Sequence, residues 1–462
     1  MDLPRLIIAG THSGIGKTTL TLGIIAALKK RGLNVQPFKT GPDYIDPSYH
    51  FKVSGKACGN LDSWLLSKNT VLELFERRAR NADISVIEGV MGLYDGAKDS
   101  EKGSTCHLAK ILNSPVILIL DAHSLSRSAA AIALGYKEFD KKINIRGIIL
   151  NHIASADHYS YVKTSIEKRT KIPVLGYLPR DHSLKLPERH LGLIPLQEER
   201  LHQSFYQRVS KLVEQTIDLA KLLKIARNAK PLPDSEKQVF KKERSSRNHV
   251  TIAVAKDEAF NFYYQDNLDL LKHLGAKISS FSPLRDKKLP PITQGLYIGG
   301  GFPELFAAGL SKNKKLKELI CQKAKEGLPI YAECGGLMYL VKTLIDFKKR
   351  RFPMVGIFEG TVTMGNRLHR LGYVNIEVIK DNILSHRGDK NKAHVFHWSR
   401  LEDIPKNTSF AYKIIKSGKM IAYDGLTKKN VLAGYAHLHF ASHTKFAKNF
   451  INSCRQFKID HA

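Results

Sequence analysis

Residues 9–19 read AGTHSGIGKTT, and the fold of the N-terminal half turns on whether that stretch is a phosphate-binding loop. The usual pattern is GxxxxGK[ST]. Counting back from Gly16, Lys17 and Thr18 places Thr11 at its head, with Gly10 one position further out. The flanks decide the matter: LIIAG (6–10) has a buried-strand pattern, and TLTLGIIAALKKRG (19–32) has apolar residues at helical spacing and ends in Gly32. Between strand and helix, glycines let the backbone approach a ligand and turn its N–H groups inward, while the helix start adds partial positive charge. Thr11, Gly14, Gly16, Lys17, Thr18 and Thr19 are therefore the expected ATP contacts. Lys17 would reach the β and γ phosphates, and the Thr18 hydroxyl would ligate Mg2+.

Outward from this loop, apolar runs alternate with helical patterns as far as about Pro195: RLIIAG, VQPFK, ISVIEG, PVILILD, IRGIILN and IPVLGYLP. That rhythm predicts a parallel sheet wrapped by helices. Helical pattern continues from about 200 to 225, and the polar, proline-bearing stretch 226–248 reads as a linker. From 249 to 462 a second series begins, with HVTIAVA, GLYIGGG, LPIYAECGG and VLAGYAHLHF. The expectation is an α/β protein of two domains, 1–225 and 249–462.

The chain of 462 residues, 43% hydrophobic and 25% charged, is long enough for two large cores. It has no apolar run of bilayer length and no leader-like N-terminus. Its five cysteines, 58, 106, 321, 334 and 454, are widely spaced, which fits a reducing cytoplasm better than a disulfide or zinc framework. A formal net charge of +30 raises nucleic acid, an anionic surface or a polyanionic small molecule as partners. The lysines are scattered in short groups such as 29–31, 240–247, 311–317 and 347–351, so they read chiefly as solubilising charge, with no nucleic acid or membrane partner expected.

A magnesium site needs oxygen ligands beyond Thr18. Glu88, in ISVIEGVMGLYDG (84–96), and Asp43 and Asp46, in KTGPDYIDP (39–47), are the candidates. In the C-terminal half, YAECGGLMYL (331–340) places Cys334 at a strand-to-helix elbow, which would expose the sulfur beside the following amides, Gly335 first. YAHLHF (435–440) offers His437 or His439 as its base; strand alternation puts both on one face and does not separate them.

The loop with its extra residue resembles that of dethiobiotin synthetases, whereas partition ATPases carry a lysine at the place of His12. Read with QPFKTGPDYIDPSYH, VIEGVMGLYDG, GIILNHI, GYLPRD and LPERHLGLIP, the first domain resembles the cobyrinate a,c-diamide synthase family. The second resembles a class I glutamine amidotransferase. The resemblance implies ATP-dependent amidation of the a and c acetates of cobyrinic acid, or a related tetrapyrrole acid, with nitrogen from glutamine. It favours His437, at the histidine of a YLHG-like segment, and adds Gly300 and Gly301 of IGGGFPE (298–304) to the oxyanion hole. It places Asp43 and Tyr44 toward the acceptor and Asp46 toward the metal.

Two departures stand out. Many class I members continue His-x-Glu, but here that place is His439, leaving the partner of the imidazole undefined. AHVFHWS (393–399) has Ala393 and Val395 where the family resembles GHEFHYS. Ni-sirohydrochlorin and hydrogenobyrinic acid remain alternative acceptors, a nucleotide-switch ATPase is a rival that leaves Cys334 idle, and the oligomeric state, monomer or homodimer, is open.

Overall fold

The computed structural model describes residues 2–98, 100–184, 186–189, 192–194, 203–241 and 249–461. The chain divides into two compact units, Met1–Gln238 and Val239–Ala462. Parts of two segments singled out in the sequence, LPERHLGLIP at 190, 191 and 195 and the charged stretch at 242–248, lie outside the described residues.

The first unit is built on a seven-stranded parallel sheet: β1 (Arg5–Gly10), β2 (Val35–Thr40), β3 (Gly59–Leu61), β4 (Ile84–Gly92), β5 (Val116–Asp121), β6 (Ile145–Ile153) and β7 (Val174–Pro179). The spatial order is β3-β2-β4-β1-β5-β6-β7. Its strands are apolar runs because helices cover both faces. The order changes direction around β1, so the loop after β1 opens at a switch point, where ligands of parallel sheets bind.

That loop runs into helix α1 (Lys17–Lys30), whose buried Leu20, Ile24 and Leu28 pack on the sheet with Leu6, Ile8 and Val86. A second helix, Gln203–Thr216, lies close against α1: a Cβ on Gly23 would come within 2.6 Å of Val209. Residues 230–238, read from composition as linker, lie along the first unit. Asn69 and Glu236 exchange side-chain to backbone hydrogen bonds, Glu73 accepts from the Gln238 N–H, and the Lys230 carbonyl accepts from the buried Arg5 guanidinium.

The second unit holds a nine-stranded mixed sheet. Five strands are parallel: Ala276–Phe281, Val250–Ala255, Thr293–Ile298, Ile330–Glu333 and Val431–Gly434, in that spatial order. Four antiparallel strands extend it through Lys419–Lys428, Phe410–Lys416, Arg370–Val378 and Lys390–His397. The strand predicted from VLAGYAHLHF ends at Gly434; beyond it only His437 pairs, through an isolated bridge to His394. Among the described residues no helix is long and apolar enough to cross a membrane, and all five cysteines are free thiols.

Candidate active site

In the first unit the phosphate loop is shaped by its glycines. Gly14 and Gly16 have φ of 78° and 90°, and Gly16 caps α1 in the left-handed conformation. A Cβ on Gly16 would meet the Asn151 amide at 2.7 Å, and that same amide donates to the Ile15 carbonyl. Thr11 is tied down by its backbone: its N–H reaches the Ile119 carbonyl, and its own carbonyl accepts from the Tyr136 hydroxyl at 2.6 Å. Lys17 is buried, with Nζ 3.0 Å from the His12 carbonyl. Burial, then the nearby charge of Lys39, lowers its pKa to about 8. The Thr19 hydroxyl donates to the Leu184 carbonyl at 3.2 Å and so turns to packing.

Behind the loop the predicted metal residues converge. Thr18 Oγ1 lies 2.7 Å from Glu88 and 3.4 Å from Asp46. Between these two carboxylates stands the ammonium of Lys39, 2.6 Å from Asp46 and 2.8 Å from Glu88. Glu88 is fully buried at the middle of β4, which runs on to Gly92, and its second oxygen meets His50 at 2.7 Å. Burial alone would raise the Glu88 pKa; Lys39 and His50 overcome that and hold it well below the ordinary carboxylate range. Asp46 moves up, through burial and the charge of Asp43. Asp43 accepts the N–H groups of Ile45 and Asp46, and its other oxygen is 3.8 Å from Lys39. Tyr44, half-buried, follows it in a loop that Asn60 holds by donating to the Gly41 and Asp43 carbonyls.

In the second unit Cys334 sits at the predicted elbow, between the strand Ile330–Glu333 and the short helix Gly335–Leu340. Its φ of 48° and ψ of −100° are strained for a residue with a side chain, a cost of about 1–3 kcal/mol. The thiol is 7% exposed and faces the Phe396 carbonyl at 3.8 Å. The buried His437 lies close enough to Cys334 for the sulfur to favour its protonated form. A Cβ on Gly335 would lie 3.1 Å from the Gly301 nitrogen, so the predicted oxyanion-hole glycines adjoin one another beside the elbow. His439 turns elsewhere: its ring packs against Tyr264 and its Nδ1 accepts from the Ala441 N–H at 3.3 Å. Ala393 and Val395 are both buried, on the strand that passes over the thiol.

Residues 6–194 match the family described as the CobQ/CobB/MinD/ParA nucleotide binding domain, and residues 251–445 match the CobB/CobQ-like glutamine amidotransferase domain. The chain is 46% identical to a protein named cobyrinate a,c-diamide synthase from Dehalococcoides mccartyi (strain CBDB1), over 99% of both chains. It is 44% identical to one of the same name from Caldanaerobacter subterraneus subsp. tengcongensis, over 98% of both, and 40% identical to one from Methanosarcina barkeri, over 99% of this chain and 97% of that one. The chain belongs to the cobyrinate a,c-diamide synthase family. In this member of the cobyrinate a,c-diamide synthase family, four side chains at the two sites went unremarked in the sequence. Lys39, His50 and Asn151 come from β2, α2 (Asp46–Ser54) and β6, and only the sheet order brings them to Glu88 and the loop. The fourth, Glu333, has its Oε2 3.6 Å from His437 Nδ1. A lysine near the end of a strand-like run, directly before TGPD, was the one local signal for Lys39.

Proposed function

We propose that the protein converts the a and c acetate carboxylates of cobyrinic acid, or of a close tetrapyrrole acid, to amides, using ATP and the side-chain nitrogen of glutamine. The observation that carries this reading is the pairing on one chain of a thiol at a strained elbow beside a buried imidazole with a phosphate loop whose Thr18 hydroxyl meets two carboxylates. Neither chemistry alone makes an amide: a carboxylate needs activation, and ammonium needs to lose a proton.

The phosphate loop and Lys17 would hold the β and γ phosphates of ATP. An oxygen of the acceptor carboxylate attacks the γ phosphorus, the bond to ADP breaks, and an acyl phosphate results. Asp43 and Tyr44 would border the acceptor. Thr18, Asp46 and Glu88 fit a magnesium ion, since a hydroxyl and carboxylates are its hard oxygen ligands and the two acids already hold an ammonium between them. Among the described residues no group of three or more His, Cys, Asp or Glu could hold a metal by itself, so phosphate oxygens and water would complete the shell. When bound, the ion supplies charge neutralisation on the transferring phosphoryl group.

At the second site the Cys334 sulfur attacks the carboxamide carbon of glutamine, and His437 passes the thiol proton to the departing ammonia. The N–H groups of Gly301 and Gly335 would receive the developing oxyanion, with Gly300 leaving room for the ring. Water then hydrolyses the thioester to glutamate. The released ammonia attacks the acyl phosphate, and phosphate leaves.

Mass spectrometry of cobyrinic acid incubated with ATP, Mg2+ and glutamine tests the whole reading, because each exchange of a hydroxyl for an amino group lowers the mass by a fixed step. The expected product carries two such steps. Cys334→Ala should give none with glutamine and both with ammonia. An unchanged acceptor, or normal glutamine-driven product from Cys334→Ala, overturns the proposal.

A further inference from the structure

We infer that Glu333, the residue immediately before the proposed nucleophile, is the positioning carboxylate of the His437 imidazole, in place of the His-x-Glu glutamate that this chain lacks. The inference rests on the reading of Cys334 and His437 as the glutamine-hydrolysing pair. His439, at the usual glutamate position, is occupied by Tyr264 and by the Ala441 N–H. Glu333 reaches the imidazole instead, with Oε2 3.6 Å from Nδ1 and 1% of the residue exposed.

The carboxylate is fixed on every side. Oε1 accepts from the Leu438 N–H at 3.0 Å and from the Tyr331 hydroxyl, and Oε2 accepts from the Tyr297 hydroxyl at 3.1 Å. A buried carboxylate is costly unless donors and a positive partner compensate it. The donors here are neutral, and among the described residues His437 is the one basic group within ion-pair distance of Glu333. A separation of 3.6 Å is that of an ion pair; catalytic contacts of this length shorten when substrate binds.

Adjacent strand residues normally point to opposite faces. The left-handed turn at Cys334 breaks that alternation, which lets Glu333 and Cys334 both approach His437. The titratable groups facing His437 are Cys334, Glu333, His394 and His397. The latter two are held neutral by burial, with pKa lowered to about 3. Burial would lower His437 as well, but Cys334 and Glu333 outweigh it and raise its pKa to about 10.

The test uses the full chain with Glu333→Gln, which keeps the shape and removes the charge. Glutamine hydrolysis should fall by about 10²–10⁴ in kcat, with KM for glutamine little changed. The alkaline limb of the pH profile should move down by about one unit or more, since the imidazolium loses a stabilising charge. Amidation driven by ammonia should be unchanged. Unaltered glutamine hydrolysis, or a fall without movement of the limb, overturns the inference. Tyr331→Phe, which loosens the carboxylate and keeps its charge, should slow hydrolysis less and leave the limb in place; wild-type turnover in it counts against the inference even where Glu333→Gln does not fold. Cys334→Ala measured alongside separates the two levels: retained hydrolysis there removes the underlying reading, whereas its loss together with an indifferent Glu333→Gln removes only the role of Glu333.

Discussion

A Cβ on Gly300 would stand 2.7 Å from Cε1 of His437, closer than two carbons approach without displacement. The absence of a side chain at 300 is therefore what lets the imidazole lie beside Cys334. Gly300→Ala should push the ring aside, and a misplacement of about 1 Å lowers glutamine hydrolysis by roughly 10²-fold. Ammonia-driven amidation serves as the control and should be unaffected. Equal glutamine turnover in the variant and the parent would show that the ring does not need this space.

At the first site Lys39 balances an excess of negative charge: Asp43, Asp46 and Glu88 all lie within 3.8 Å of its ammonium. Lys39→Met leaves buried carboxylates that must take up a proton or repel one another and the phosphates. Amide formation from ammonia and ATP should fall by about 10²-fold or more, the scale of losing one preorganised charge. Glutamine hydrolysis without acceptor should persist. Ammonia-driven rates within a few-fold of the parent would assign Lys39 a packing role only.

These two sites were unequally legible in the sequence. The phosphate loop and the cysteine elbow are local: a few consecutive residues between strand and helix demand glycine, and the demand is visible in AGTHSGIGKTT and AECGG. Lys39 and Glu88 are register partners on neighbouring strands β2 and β4, although β3 lies between them in the chain, so their meeting depends on strand order that periodicity does not report. Glu333 was hidden by the strand rule itself, which places neighbours on opposite faces and holds only until the backbone turns left-handed at 334. The edge strand β3, Gly59–Leu61, is too short to show a pattern. The antiparallel strands between 370 and 428 mix polar and apolar residues on a partly exposed face, and the continuous apolar runs that marked the parallel strands are missing there. Residues 230–238 look like linker because they are held by hydrogen bonds and bury little apolar surface.

The Arg5 guanidinium is fully buried and donates to the carbonyls of Leu3, Leu112, Asn113 and Lys230. It joins the start of β1 to the turn before β5 and to the chain leaving the first unit. Burial lowers its pKa to about 10, which leaves it charged at neutral pH. Arg5→Met keeps most of the volume and leaves these carbonyls without their donor, a loss on the order of 3 kcal/mol. Urea unfolding of the first unit, followed with and without ATP, should show the earlier midpoint. A midpoint unchanged from the parent would mean that water replaces the guanidinium at no cost.

The second unit carries a built-in sensitivity to acid through His394 and His397. Burial, the leading cause for both, lowers their pKa to about 3 from an ordinary value of 6.5. Below pH 6.5 the unfolded chain binds protons that the folded rings refuse, so stability falls as pH falls and the loss accumulates until about pH 3. Two such histidines together remove on the order of 2 kcal/mol between pH 6 and 5. His394→Leu eliminates one of them, and His394 Nδ1 makes no hydrogen bond that the change would break. Urea midpoints of the second unit from pH 7 to 5 should therefore decline less steeply in the variant than in the parent. Parallel slopes would place the acid sensitivity elsewhere, since a ring that already titrates normally in the fold has no refused proton for the substitution to relieve.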